Sequence, residues 1–219
     1  MKPASRQVAD TIRTLILRGD FPAGEHLREA ALADRFQVSR TPVRAALAEN
    51  AKDGLLDYEP NRGYRVRRFD LRDIADAFEL RAVLEGTACR VAAERGLDLE
   101  AERSARQALA TVDGLFRDAP ELDEAGFGVW REQNTIFHGL IARQFDNRFF
   151  ADMLQTVVAI PGVFPPVLAS YDADRIRQFN DQHRRILSAI VARQGTRAEG
   201  LMREHVLMAC ETIVAAVRS

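Results

Sequence analysis

The hydrophobic period of this chain changes twice, and those two changes constrain the fold most. Up to Gly54 the apolar residues fall at helical spacing: Val8, Ile12, Leu15 and Ile16, then Leu32 and Phe36, then Val43, Ala46 and Leu47. Two short, partly alternating runs follow, Leu55–Tyr58 and Tyr64–Arg67, on either side of Glu59-Pro60-Asn61-Arg62-Gly63, whose residues have strong turn chemistry. From Asp70 onward the spacing is helical again. The pattern predicts a mainly α chain with two parts. An N-terminal winged helix-turn-helix takes residues 1–68, and an all-α bundle of six to seven helices takes residues 69–219.

Local punctuation sets the element ends. The first helix should stop near Gly19-Asp20, with Phe21-Pro22-Ala23-Gly24 as a turn. A short second helix is expected over 29–36. Ser39 is a suitable N-cap for a third helix running to about Asp53, and Gly54 ends it. Helices are expected near 70–95, 98–117, 122–145, 147–158, 172–193 and 196–217, with a break at Pro161–Pro166. The short junction between the parts falls at Arg68-Phe69-Asp70.

Composition excludes some classes. Hydrophobic residues at 47% suffice for a core, and no apolar run is long enough to span a bilayer. Met1 to Arg18 is charged and periodic, unlike a signal peptide. Cys89 and Cys210 suggest two core thiols in a reducing cytoplasm rather than a disulfide framework.

Charge is unevenly distributed. Residues 1–68 hold 13 Lys+Arg against 9 Asp+Glu, a net of +4, whereas the remainder nets -5. A basic front suits contact with a polyanion, provided the basic residues fall on the right elements. They do. A helix in the major groove contacts bases mainly through its N-terminal residues, here Ser39, Arg40, Thr41 and Arg44. Arginine can donate two hydrogen bonds to guanine O6 and N7. Arg40 and Arg44 share one helical face, and Pro42 is tolerated in a first turn that lacks intrahelical acceptors for its N–H groups. Arg62 and Gly63 sit at the hairpin tip, and Arg65 and Arg67 alternate onto one side beside the phosphate backbone. A small helical subdomain with solvated arginines is the plainer alternative, which the ordered set of elements disfavours.

Residues from about Leu27 to Val66 resemble the GntR family of bacterial regulators. The shared residues are Leu27-Arg28-Glu29, Leu32-Ala33, Val38-Ser39-Arg40-Thr41-Pro42-Val43-Arg44, Ala46-Leu47, Gly54-Leu55 and Arg62-Gly63. The resemblance implies that Arg40, Thr41 and Arg44 touch operator DNA, with Gly63 near the minor groove. Two positions depart from it. Asn50 stands where the family usually has leucine, and Ala30 where some relatives carry a DNA-contacting arginine.

Three of the four histidines lie in the rear part, each on the apolar stripe of a different expected helix. His138 follows Phe127, Trp130 and Asn134 and precedes Ile141 and Phe145. His183 lies among Ile176, Phe179, Ile186 and Ile190. His205 lies with Leu201, Met208 and Thr212. Three inward imidazoles need partners for their polar atoms, and a shared divalent metal (Zn, Ni, Mn or Fe) with an oxygen donor would supply them. Residues 70–217 resemble the FadR-type effector domain called FCD. The resemblance rests on Leu80-Arg81-Ala82-Val83-Leu84-Glu85, Asn134-x-x-Phe137-His138, His183-Arg184-x-Ile186-Leu187-x-Ala189-Ile190 and Met202-x-x-His205. It implies a metal held by Asn134, His138, His183 and His205, with Asn134 in place of a common aspartate.

It also implies a small organic acid as effector, for which Arg81 is the candidate partner. The alternative for Arg81 is an i,i+4 salt bridge to Glu85. The whole suggests a ligand-responsive transcriptional repressor, a homodimer on palindromic double-stranded operator DNA, with no membrane partner and no catalytic residues. A metal-dependent hydrolase-like enzyme or a metal sensor using the three histidines stays open, although no HExxH-type motif is present.

Overall fold

The computed structural model describes residues 3–117, 121–158 and 171–218, leaving aside the side chains of Leu17, Val217 and Arg218. The expected Pro161–Pro166 break lies outside the described residues. Described residues up to Ala77, with Gln155–Val158, form one compact unit, and Phe78–Leu154 with the residues from Tyr171 onward form a second.

The first unit runs α1 (Ala4–Leu17), β1 (His26–Leu27), α2 (Glu29–Phe36), α3 (Arg40–Lys52), β2 (Leu56–Glu59) and β3 (Gly63–Val66). The three strands form one antiparallel sheet in the order β1-β3-β2, with Leu56 opposite Val66 and Tyr58 opposite Tyr64. Gly54 at φ +79 turns the chain out of α3, and Gly63 at φ +87 closes the hairpin tip in a conformation that side chains rarely adopt. β1 is an addition to the expected hairpin, pairing His26 with Arg65 and Leu27 with Tyr64. Two residues carry no periodic signal, so its register is a tertiary effect.

Ile12, Val43, Ala46, Leu47 and Leu55 are fully buried between α1, α3 and the sheet. Asn50 is also fully buried. Its amide nitrogen donates to the Ala46 carbonyl at 2.9 Å and, across the packing surface, to the Ala9 carbonyl of α1 at 3.2 Å. The departure from leucine therefore does not loosen the packing. It ties α3 to α1, where Arg6–Glu49 and Arg13–Asp53 ion pairs also join the two. The tie has a cost, since Asn50 Oδ1 is buried without a partner. Both carbonyls already accept from their own helices, so Asn50→Leu removes an orphaned acceptor and orphans nothing. It should raise stability by about 1–2 kcal/mol, seen as a higher unfolding midpoint. A lowered midpoint would show that the α1–α3 tie matters more than the orphan.

α4 (Leu71–Arg95), α5 (Leu99–Gly114), α6 (Glu124–Arg143), α7 (Arg148–Val158), α8 (Ala173–Val191) and α9 (Gly195–Arg218) complete the chain, and the division between the units falls within α4 and α7. Five of these helices start on an Asp or Asn side chain that accepts first-turn N–H groups. Asp70, Asp98, Asp123 and Asp172 serve α4, α5, α6 and α8, and Asn147 serves α7. These caps explain why α5 and α6 start at 99 and 124. Within the second unit α5 packs on α6 and α8, and α8 on α9. Buried Asn180 of α8 donates to the Leu109 carbonyl at 3.1 Å and to Asp113 at 2.7 Å on α5. Among the described residues no helix is long and apolar enough to cross a membrane. Cys89 and Cys210 are buried free thiols.

Candidate DNA-reading surface and histidine centre

Val43, Ala46, Leu47 and Asn50 turn α3 inward, and that rotation leaves Ser39, Arg40, Thr41 and Arg44 exposed together. Ser39 occupies the N-cap position with extended backbone but makes no capping hydrogen bond. Its hydroxyl and the first-turn N–H groups are therefore available to an anion, a correction to the expected capping role. Arg44 does not stand alone. Glu29 of α2 takes its Nε and Nη2 groups at 2.8 Å each. Arg62 is exposed at the hairpin tip beside Gly63, whereas Arg65 is held 2.9 Å from Glu59, and Arg67 covers the Phe69 ring.

In the second unit α6, α8 and α9 bring His138, His183 and His205 together, with one ligand atom of each within 4.8 Å of the others. His183 and His205 are buried. His183 Nε2 lies 3.1 Å from His138 Nε2 and 3.0 Å from His205 Nε2. Phe137 stacks on His183 at 4.3 Å, fixing its ring plane. The third inward stripe is Ala198, Met202, His205, Val206 and Ile213, whereas Leu201, Met208 and Thr212 are half-buried at its flank.

The outer nitrogens decide the tautomers. His138 Nδ1 donates to Glu85 Oε2, and His205 Nδ1 donates to Gln182 Oε1 at 2.8 Å. Both rings then present unprotonated Nε2 atoms to His183. A neutral His183 has at most one Nε2 proton, which can satisfy only one of them. Three converging Nε2 atoms with fewer protons than lone pairs suit a cation, and this donor set fits a divalent metal. Asn134 lies one turn before His138, half-buried, and its side-chain amide hydrogen-bonds to no described residue.

Glu85 is the residue that sequence patterns missed. It is 3% exposed, receives Arg81 Nε at 2.5 Å on one oxygen and His138 on the other. Burial alone would raise its pKa, but the charge of Arg81 and the hydrogen bonds from His138 and Arg81 outweigh it and hold the carboxyl well below the usual range. Arg81 thus makes the anticipated salt bridge, but a buried one, and it hydrogen-bonds to no other described residue. Tyr171 packs edge-on against Trp130 and Phe179, and Phe179 against His205. Burial pushes the Tyr171 phenol up to about 12, against the pull of Arg81.

Burial, with the neighbouring positive charge, also holds His183 and His205 well below the usual imidazole value. In the unfolded chain these groups titrate near pH ~6.5, and in the folded chain they stay neutral below that. The stability they contribute is complete above about pH 6.5 and is lost as pH falls toward their folded values. For metal-free protein the loss should approach roughly 2.7 kcal/mol per pH unit for two protons, measurable by urea unfolding between pH 7 and 5. A flat profile would mean the rings are not buried neutral. A metal held by these rings would be lost over the same acid range.

Comparison with known proteins accounts for both units. Residues 4–66 match bacterial regulatory proteins of the gntR family, and residues 76–207 match the FCD domain. The chain belongs to the GntR family. This regulator is 32% identical over 202 residues to the probable D-xylose utilization operon transcriptional repressor of Paenarthrobacter nicotinovorans, covering 91% of this chain and 84% of that one. It is 26% identical over 197 residues to the HTH-type transcriptional repressor GlaR of Escherichia coli (strain K12), covering 88% and 87%. Its fold matches the solved structure of E. coli McbR/YncC with a TM-score of 0.80 at 17% identity, over 99% of this chain and all of that one. The GntR protein is thus a DNA-binding transcriptional regulator consistent with the FadR-like branch, and the hydrolase-like alternative falls.

Proposed function

We propose that this GntR regulator is a cytoplasmic repressor whose FCD domain binds one divalent ion and, beside it, a small organic acid that alters operator affinity. The observation that carries the proposal is the convergence of three Nε2 atoms, on two of whose rings (His138 and His205) the outer nitrogen is tied down by Glu85 or Gln182. His138, His183 and His205 hold the ion (Zn, Ni, Mn or Fe), with Asn134 as the added oxygen donor. When bound, the ion supplies Lewis-acid positions for a carboxylate. Arg81, with Tyr171 nearby, offers that carboxylate the guanidinium N–H groups that Glu85 leaves unused. DNA reading belongs to residues 1–68 through Ser39, Arg40, Thr41, Arg44, Arg62 and Gly63, and effector binding and dimerisation to 69–219. Leu80 and Val83 on α4, and Phe149 and Met153 on α7, are 40–64% exposed and offer apolar surface to a second copy on a palindromic operator.

The test is a thermal-shift screen of organic and sugar acids against metal-loaded and metal-stripped protein, followed by binding to a DNA duplex selected by the wild type. An acid should raise the midpoint only in loaded protein and change duplex affinity. An acid acting equally on stripped protein would remove the metal from the effector site. A metal ion that alone shifts duplex affinity as far as any acid would make the protein a metal sensor.

A further inference from the structure

We propose that Glu29 sets how Arg44 meets DNA, by clamping the side of its guanidinium so that only the end faces the groove. The inference rests on the reading of α3 given above and adds to it a residue on another helix. Glu29 opens α2, fifteen positions before Arg44. Its two oxygens accept from Arg44 Nε and Nη2, both at 2.8 Å, a planar two-bond fork. The Arg44 side chain remains 69% exposed.

A pair this exposed contributes little to folding. Its geometry matters more. A guanidinium has five N–H groups, and this fork uses Nε–H and the adjacent Nη2–H. What remains is Nη1 and the outer hydrogen of Nη2, the end-on pair that can meet guanine O6 and N7 together. The clamp also removes the rotamer freedom that a long side chain would otherwise lose on binding. Arg40, exposed on the same face, hydrogen-bonds to no described residue and stays free to adapt. The two arginines are therefore inequivalent: Arg44 is a fixed base reader and Arg40 an adjustable one. A carboxylate on a phosphate-facing surface weakens non-specific attraction. Glu29 therefore lowers general affinity while sharpening choice.

The experiment selects duplexes from a randomised library with full-length wild type, Arg44→Ala, Glu29→Ala and Glu29→Gln, with melting curves as a fold check. Arg44→Ala should lose preference at one base pair per half-site. Glu29→Ala should lose about tenfold of the preference at that same base pair, while affinity for arbitrary duplex is unchanged or higher. Glu29→Gln, which keeps the shape with one acceptor oxygen, should fall between. Glu29→Ala retaining that preference, or losing preference evenly across the site, would overturn the clamp. So would Arg44→Ala retaining every preference. Wild type enriching no sequence at all would instead overturn the DNA-reading assignment of α3 itself.

Discussion

Glu85→Ala should destabilise the metal-free protein by about 3–5 kcal/mol and weaken its divalent-ion affinity by about 10- to 100-fold. Two separate roles produce the two effects. Glu85 is buried and its first oxygen neutralises Arg81, whose side chain is only 14% exposed. Without the carboxylate a nearly buried guanidinium has no counter-charge, and breaking such a pair on one side is far costlier than never having built it. Its second oxygen fixes the Nδ1–H tautomer of His138. Without that acceptor the ring can rotate or change tautomer, and Nε2 ceases to be a reliable donor to metal. Glu85→Gln separates the roles, because it fills the same space but carries no charge. Urea unfolding and competition with a metal-binding dye measure both quantities. Wild-type stability in Glu85→Ala would mean that Arg81 is not buried against it.

Joint replacement of Arg40 and Arg44 by alanine should abolish sequence-selective DNA binding. Each guanidinium that forks a guanine contributes roughly 1–3 kcal/mol of discrimination, and the proposed dimer on two half-sites would use each twice. Affinity for a selected duplex should therefore fall on the order of a thousandfold or more at moderate salt, toward the level for arbitrary DNA. Fluorescence anisotropy with both duplexes gives the ratio directly. Binding as tight as wild type would show that α3 does not enter the groove. Because Val43, Ala46 and Leu47 form the buried face of α3 and the arginines its exposed face, the double substitution should leave the unfolding midpoint close to wild type.

The helices were legible because local chemistry and long-range packing agree along most of this chain. Asp70, Asp98, Asp123, Asn147 and Asp172 each stand at a helix start in the sequence and each accept a backbone N–H in the structure. β1 was not legible, because His26 and Leu27 become a strand only when Arg65 and Tyr64 lie alongside. The histidine centre followed the same division. Imidazoles on three apolar stripes are visible in sequence, and His138, His183 and His205 do converge. Glu85 was hidden by its own salt bridge: an Arg and a Glu four apart on a helix look like a surface pair. Contact with His138, 53 residues away, is what makes it part of the centre. The Arg44–Glu29 fork was hidden for the same reason, since α2 and α3 are brought together by burial of Leu32, Ala33 and Val43 and not by any spacing of charges. Asn50 had no account in sequence because its partner, the Ala9 carbonyl, lies on the backbone of another helix.

The proposed metal centre is tested most directly by elemental analysis of purified protein after reconstitution and extensive dialysis, wild type beside His183→Ala. The convergence of the His138 and His205 Nε2 atoms on that of His183 predicts about one tightly held divalent ion per chain in the wild type, and close to none in the variant. Wild-type protein that retains no stoichiometric metal, or a His183→Ala variant that retains as much as wild type, would contradict it.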